Sequence, residues 1–342
     1  MPRRLRLGGF GRLFQTSLKL MTGPTARAGR ATVARAVKAS AQTLKPPPGA
    51  GDWLAGVVMG SGGARRYRLY RPPGLARGER LPLLVMLHGC GQDAKSFAMS
   101  TRMNRVAARE GFMVLYPEQD RLANLQGCWN WFDTDHGRAH GEAGLILKAI
   151  DQVTLLYAAD PARVALAGLS AGASMAALMA VRHPERFRAV VMHSGMPPGS
   201  AHSTLTALGA MQGRRTVLAT GALRAASALH GGPALPPLLV VHGGADTVVS
   251  IRNGRAAAEA WADAAGAVAG APRRAQRGQR HPMEITDFRV GARTVAQLVE
   301  VGRLGHNWSG GAAGQPYGDA QGPDASRLAW AFIARQFALK AA

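Results

Sequence analysis

Short apolar runs alternate with stretches of helical spacing along most of the chain. Residues 82–87 (PLLVML), 112–116 (FMVLY), 163–167 (RVALA), 188–193 (RAVVMH) and 237–242 (PLLVVH) are apolar runs of strand length. Such uninterrupted runs suit strands buried on both faces of a parallel sheet. Residues 65–71 (RRYRLYR) alternate instead, in the manner of an edge strand. Helical spacing covers 141–157, 171–183, 250–264 and 323–339, while 285–290 and 295–301 read as a hairpin or strand pair. Asp160-Pro161 marks a turn ahead of 163–167. The alternation of strand and helix predicts a doubly wound α/β fold, a mostly parallel sheet with helices on both faces.

Two segments fall outside that rhythm. Residues 195–236, rich in Gly, Ser and Pro, are expected to be an insertion over the carboxyl end of the sheet, where a lid or substrate wall would sit. Residues 39–52 (ASAQTLKPPPGAGD) read as a Pro/Gly linker. The expected division is therefore a tail and linker over 1–52 and a catalytic domain over 53–342.

Composition changes this picture little. With 342 residues, 47% of them apolar, the chain can bury a large core, and no apolar run is long enough for a membrane-spanning helix. The formal charge of +22 is mostly arginine scattered among Ala and Gly. It comes without zinc-finger spacing, a basic zipper or aromatic–basic interleaving, so no nucleic-acid partner is expected. Residues 1–38 carry nine Lys or Arg and no acid. Phe10, Leu13, Phe14, Leu18 and Met21 fall there at helical spacing, but Arg12 and Lys19 interrupt any secretory apolar stretch. The reading is a solvated basic tail; weak contact with a membrane or granule surface is the alternative.

Candidate chemistry centres on 168–172 (GLSAG), a G-x-S-x-G pentapeptide that follows a strand and opens a helix. The glycines permit a tight elbow that pushes the Ser170 hydroxyl out above the sheet. A serine needs a positioned base to take its proton, and in the α/β-hydrolase arrangement an acid and then a histidine follow it in sequence. Asp246, in HGGAD after the strand 237–242, is placed for the acid; Asp263 and Asp287 fall inside a predicted helix and strand. His306, in GHNWS beyond 295–301, is placed for the base. His281 precedes that strand pair, and His88, His193 and His242 end earlier strands. The amides of Ala171 and Cys90 are the expected oxyanion donors, Cys90 lying in HGCGQ after the strand 82–87.

LHGCGQ (87–92), GCWNWF (127–132), GLSAGASM (168–175), HGGAD (242–246), GHNWSGG (305–311) and GPDAS (322–326) resemble the catalytic domain of poly(3-hydroxybutyrate) depolymerase esterases, over about residues 53–340. The resemblance implies a serine esterase, without metal or organic cofactor, acting on short-chain hydroxyalkanoate esters. Feruloyl and acetylxylan esterases are close relatives of that family. It implies Ser170, Asp246 and His306 as the triad, with His88 and Cys90 at the oxyanion loop. Substrate contacts are implied for His88, Trp129, Trp131 and Trp308, and a disulfide for Cys90 and Cys128, the only cysteines. Asn307 stands where the family pattern has a small residue. Secreted polymer-degrading members are exported and add a substrate-binding domain after the catalytic one. This sequence ends at Ala342, so soluble oligomers or small esters are the expected substrates. The rival readings are a feruloyl or acetylxylan esterase, an amidase using the same triad, and a non-catalytic basic protein that binds granule or membrane surfaces.

Overall fold

The computed structural model describes residues 46–76, 78–214, 223–225 and 234–339. The basic tail 1–38 lies outside them, as does part of the 195–236 insertion. One compact unit spans Pro47–Ala342.

The sheet is built from β1 (Asp52–Gly60), β2 (Gly63–Arg71), β3 (Leu81–Leu87), β4 (Met113–Pro117), β5 (Ala159–Leu169), β6 (Ala189–His193) and β7 (Leu238–Gly243), followed by β8 (Val268–Ala269), β9 (Arg273–Ala275), β10 (Met283–Val290) and β11 (Arg293–Val301). The order is β1-β2-β4-β3-β5-β6-β7-β11-β10-β8, with β9 also on β10. From β4 to β11 neighbouring strands run parallel; β2 joins β4 antiparallel, and β10 joins β11 antiparallel.

Side-chain alternation divides each central strand between two cores. In β3, Leu83, Val85 and Leu87 enter one core while Leu84 and Met86 enter the other. The first core is covered by α3 (Arg138–Leu156), α4 (Ala171–Arg182) and α6 (Ile251–Ala265). The second is covered by α1 (Ala94–Thr101), α2 (Met103–Glu110) and α7 (Ala325–Ala338). α5 (Thr204–Met211) lies in the insertion and opens with a capping box on Ser203. Burial on both faces is why these strands carry continuous apolar runs.

Several expectations need correction. The strand at 65–71 is not an edge, because β2 pairs with β4 on one side and with β1 on the other. β1 (DWLAGVVMG) has no clean period in the sequence, because its glycines interrupt apolar side chains that are buried, half-buried and exposed in turn. The Asp160-Pro161 turn is real as local chemistry, since Asp160 Oδ1 accepts the Ala162 N–H at 2.9 Å. Pairing nonetheless continues through it as an irregularity between β3 and β5. α1 and α2 give no sustained period in the sequence, because Arg102, at φ 55, breaks the stretch into two eight-residue helices.

Both cores should respond to truncation. Leu84→Ala, at a fully buried position, is expected to cost about 2–5 kcal/mol, whereas Leu122→Ala stays within about 0.5 kcal/mol. Leu122 is 94% exposed and serves as the control. Denaturant unfolding followed by circular dichroism measures both.

Candidate active site

Ser170 sits between β5 and α4 with φ 55 and ψ −122, a conformation that costs energy for any residue with a side chain. Close approach enforces it. A Cβ on Gly172 would overlap the carbonyl oxygens of Leu87 and His88, and one on Gly168 would overlap the backbone of Gly172. The Ser170 N–H donates to the His193 carbonyl at 2.9 Å. Ala171 occupies the first position of α4, where an N–H has no acceptor within its own helix.

Asp246 follows β7. Its enclosed carboxylate accepts the Val248 and Val249 N–H groups on Oδ1, at 2.9 and 2.8 Å, and His306 Nδ1–H on Oδ2 at 2.8 Å. Burial alone would raise this carboxyl. The bond and charge of His306, the Val249 amide and nearby His242 outweigh that and hold it below the usual carboxylate value. The two loops are also joined through their backbones. The Gly244 N–H donates to Val301 O at 2.8 Å and the Ala245 N–H to Leu304 O at 3.0 Å.

His193 ties the His306 loop to the serine elbow. Besides accepting from Ser170, it accepts the Ser309 N–H on Nε2 at 3.1 Å, which places its proton on Nδ1, 3.2 Å from Ser194 Oγ. Its ring stacks on Trp308, with centroids 4.9 Å apart. Burial, with His242 and His306 nearby, pulls its pKa down to about 3. Among the described residues there is no hydrogen bond between the Ser170 hydroxyl and His306. Such bonds are often long before a substrate tightens the site.

The loop after β3 holds a free amide. The Gly89 N–H donates to Gln92 Oε1 at 3.0 Å and the Gly91 N–H to Gln126 O at 2.9 Å. Among the described residues the Cys90 N–H is left without an acceptor. A disulfide joins Cys90 to Cys128, with Cα atoms 4.3 Å apart. Under the loop, His88 Nδ1–H donates to Gly89 O at 2.8 Å, and His88 Nε2 accepts the Gln119 N–H at 3.1 Å. Burial lowers the His88 pKa to about 4.

A polar network unseen in the sequence surrounds that histidine. Glu142 accepts from the Asn130 N–H, from Asn130 Nδ2 and from Gln119 Nε2 at 2.9, 2.7 and 2.6 Å. Arg65 donates to Gln119 Oε1 and to Glu118 O, and lies 5.5 Å over the Trp129 ring.

His88, Trp129, Trp131 and Trp308, the residues implied to contact substrate, are each at most 4% exposed. Trp129 Nε1 donates to His88 O at 3.0 Å and Trp308 Nε1 to Ser326 Oγ at 3.0 Å. These rings brace loops. Of the rival residues, His281 pairs with Asp319 at 3.2 Å, Asp287 bonds Arg289 and Gln297, and Asp263 lies within α6.

A family model described as "Esterase PHB depolymerase" matches residues 65–281. The chain is 35% identical over 176 residues to a poly(3-hydroxyalkanoate) depolymerase C of Paucimonas lemoignei, covering 50% of this chain and 42% of the relative. It is 34% identical over 131 residues to a feruloyl esterase B of Neurospora crassa, covering 38% of this chain and 44% of the relative. The chain thus spans less than half the length of these relatives. In structure it is similar to an acetyl xylan esterase from Aspergillus awamori, with a TM-score of 0.61, 22% identity and coverage of 74% and 94% of the two chains. That likeness shows the α/β-hydrolase fold.

The buried histidines make stability depend on pH. Unfolded histidines take up a proton below the ordinary value of 6.5, while folded His88 and His193 resist until about 4 and about 3. Stability is full above the unfolded value and falls as pH drops through this window, because the unfolded chain binds more protons. Each group adds a slope of up to about 1.4 kcal/mol per pH unit. His193→Leu should make the slope shallower by about that amount; by orphaning the Ser309 N–H it should also cost about 1–3 kcal/mol near pH 8. Denaturant titrations across pH measure both effects.

Proposed function

Because the chain belongs to the PHB depolymerase esterase family, we propose that it hydrolyses carboxylic esters through an acyl-enzyme on Ser170. The observation that supports this best is the 2.8 Å Asp246–His306 pair, held by backbone bonds and linked through His193 to the serine elbow. The catalytic domain proposed is residues 53–342.

In this reading Ser170 Oγ attacks the ester carbonyl as its proton passes to His306 Nε2. Asp246 fixes the His306 tautomer through Nδ1–H and stabilises the imidazolium that forms. The carbonyl oxygen becomes an oxyanion between the amides of Ala171 and Cys90. Such donors act in a preorganised site, and losing one costs about 10²–10³ in rate. Collapse of the intermediate expels the alcohol, which takes the proton from His306. Water, deprotonated by the same histidine, then releases the acid and restores Ser170.

The substrates proposed are short-chain hydroxyalkanoate esters and their oligomers. Ser170→Ala should lower kcat on p-nitrophenyl 3-hydroxybutyrate by at least about 10⁴-fold. Turnover close to wild type in that variant would remove Ser170 from the mechanism. A parallel screen of hydroxybutyrate oligomers, a feruloyl ester and acetylated xylan should favour the oligomers in kcat/KM; preference for either of the others would move the substrate class.

A further inference from the structure

Tyr317 stands out in the segment between His306 and α7. It has a left-handed backbone, φ 58, which is costly for an aromatic residue and persists only when neighbours hold it. They do so here, because its carbonyl accepts the Trp308 N–H at 2.8 Å. The flanking pair β12 (Trp308–Ser309) and β13 (Gly318–Asp319) fixes the same junction. The residue is thereby anchored two positions from His306.

Its other end reaches the oxyanion loop. A Cβ built on Gly91 would lie 3.8 Å from the Tyr317 hydroxyl, with no other neighbour within 4 Å. Gly91 is next to Cys90, whose amide is free. The Tyr317 side chain therefore spans from the His306 loop to the Cys90 loop, the two loops that the reading above sets around the ester. It is 40% exposed, unlike the four enclosed aromatic and histidine side chains first expected to touch substrate. Among the described residues its hydroxyl has no hydrogen-bond partner. A buried structural tyrosine would ordinarily have one.

We propose that Tyr317 determines specificity, its phenol hydrogen-bonding a polar oxygen that the substrate carries beyond the scissile carbonyl. The class this selects is esters whose acyl group bears a hydroxyl or a further ester oxygen, as hydroxy-acid oligomers do. A phenol can donate to such an oxygen or accept from it, and its ring gives the chain between them an apolar wall. This rests on the reading of Ser170 and His306 given above.

The test compares p-nitrophenyl 3-hydroxybutyrate with p-nitrophenyl butyrate, esters that differ only by the hydroxyl. Tyr317→Phe removes one oxygen and leaves the ring. The ratio of kcat/KM for the hydroxylated ester over the plain one should fall about 3- to 10-fold, the loss appearing in KM, as expected for one neutral hydrogen bond. A ratio unchanged from wild type, or an equal loss on both esters, would overturn the proposal; the second result would mark a structural role. Ser170→Ala on the same pair separates the two readings. If it retains turnover, the site itself is misassigned and Tyr317 falls with it. If it is inactive while the Tyr317→Phe ratio is unchanged, the role of Tyr317 alone is lost.

Discussion

His193 holds two parts of the site together from one position at the end of β6. Its carbonyl accepts the N–H of Ser170, and its imidazole accepts the N–H of Ser309, three residues beyond His306. The elbow and the His306 loop are distant in sequence, so their mutual placement depends on this residue and on the sheet beneath it. The second bond requires a neutral ring, since a protonated imidazole has no acceptor nitrogen. Full burial against Trp308 supplies that neutrality by disfavouring the charged form. A polar side chain at the centre of a hydrophobic layer thus serves geometry, and it does so at some cost in acid stability.

The Cys90 loop follows the same logic with charged groups. Arg65 and Glu142 are both buried, and Gln119 stands between them, bonded to each. Buried charges of this kind contribute little net stability, because desolvation offsets attraction. The hydrogen bonds they do make restrict what the chain above them can adopt, although the buried Arg65 Nε has no partner among the described residues. Gln119 also donates its backbone N–H to His88, and its amide group bonds Cys128 O, so the network reaches both ends of the Cys90–Cys128 segment. The disulfide closes that segment covalently. Gly172, at the start of α4, packs against the backbone of Leu87 and His88 in the same loop.

The parallel strands were legible because burial on both faces demands apolar runs, and runs of that kind survive in one dimension. The Ser170 and Asp246 loops were legible because each follows such a strand, and the His306 loop because it follows the strand pair over 285–301. β1 was not, since an edge strand with exposed Val57 and Met59 needs no period. Nor was the standing of His88, Trp129 and Trp308. A motif tells which residues lie near a site, but whether a tryptophan faces substrate or props a loop depends on packing from distant segments. His193 and Arg65 were hidden for the same reason. Arg65 opens a strand that reads as solvent-facing, and only the partners at 118–119 and 142 draw it inside.

Three residues with side chains adopt left-handed backbones around this site: Ser170 at φ 55, Ser194 at φ 52 and Tyr317 at φ 58. Each costs of order 1–3 kcal/mol, so each needs a neighbour that removes the alternatives. Ser170 is fixed by His193 O, Ser194 donates its N–H to Val241 O at 3.0 Å, and Tyr317 is fixed by Trp308. The strain is therefore set by bonds between adjacent strands and loops and persists before any ligand arrives. Against so rigid a frame, the missing bond between Ser170 and His306 involves two side-chain termini whose backbones are already placed. A site arranged this way spends its folding energy in advance, which is what the proposed stabilisation of a short-lived oxyanion requires.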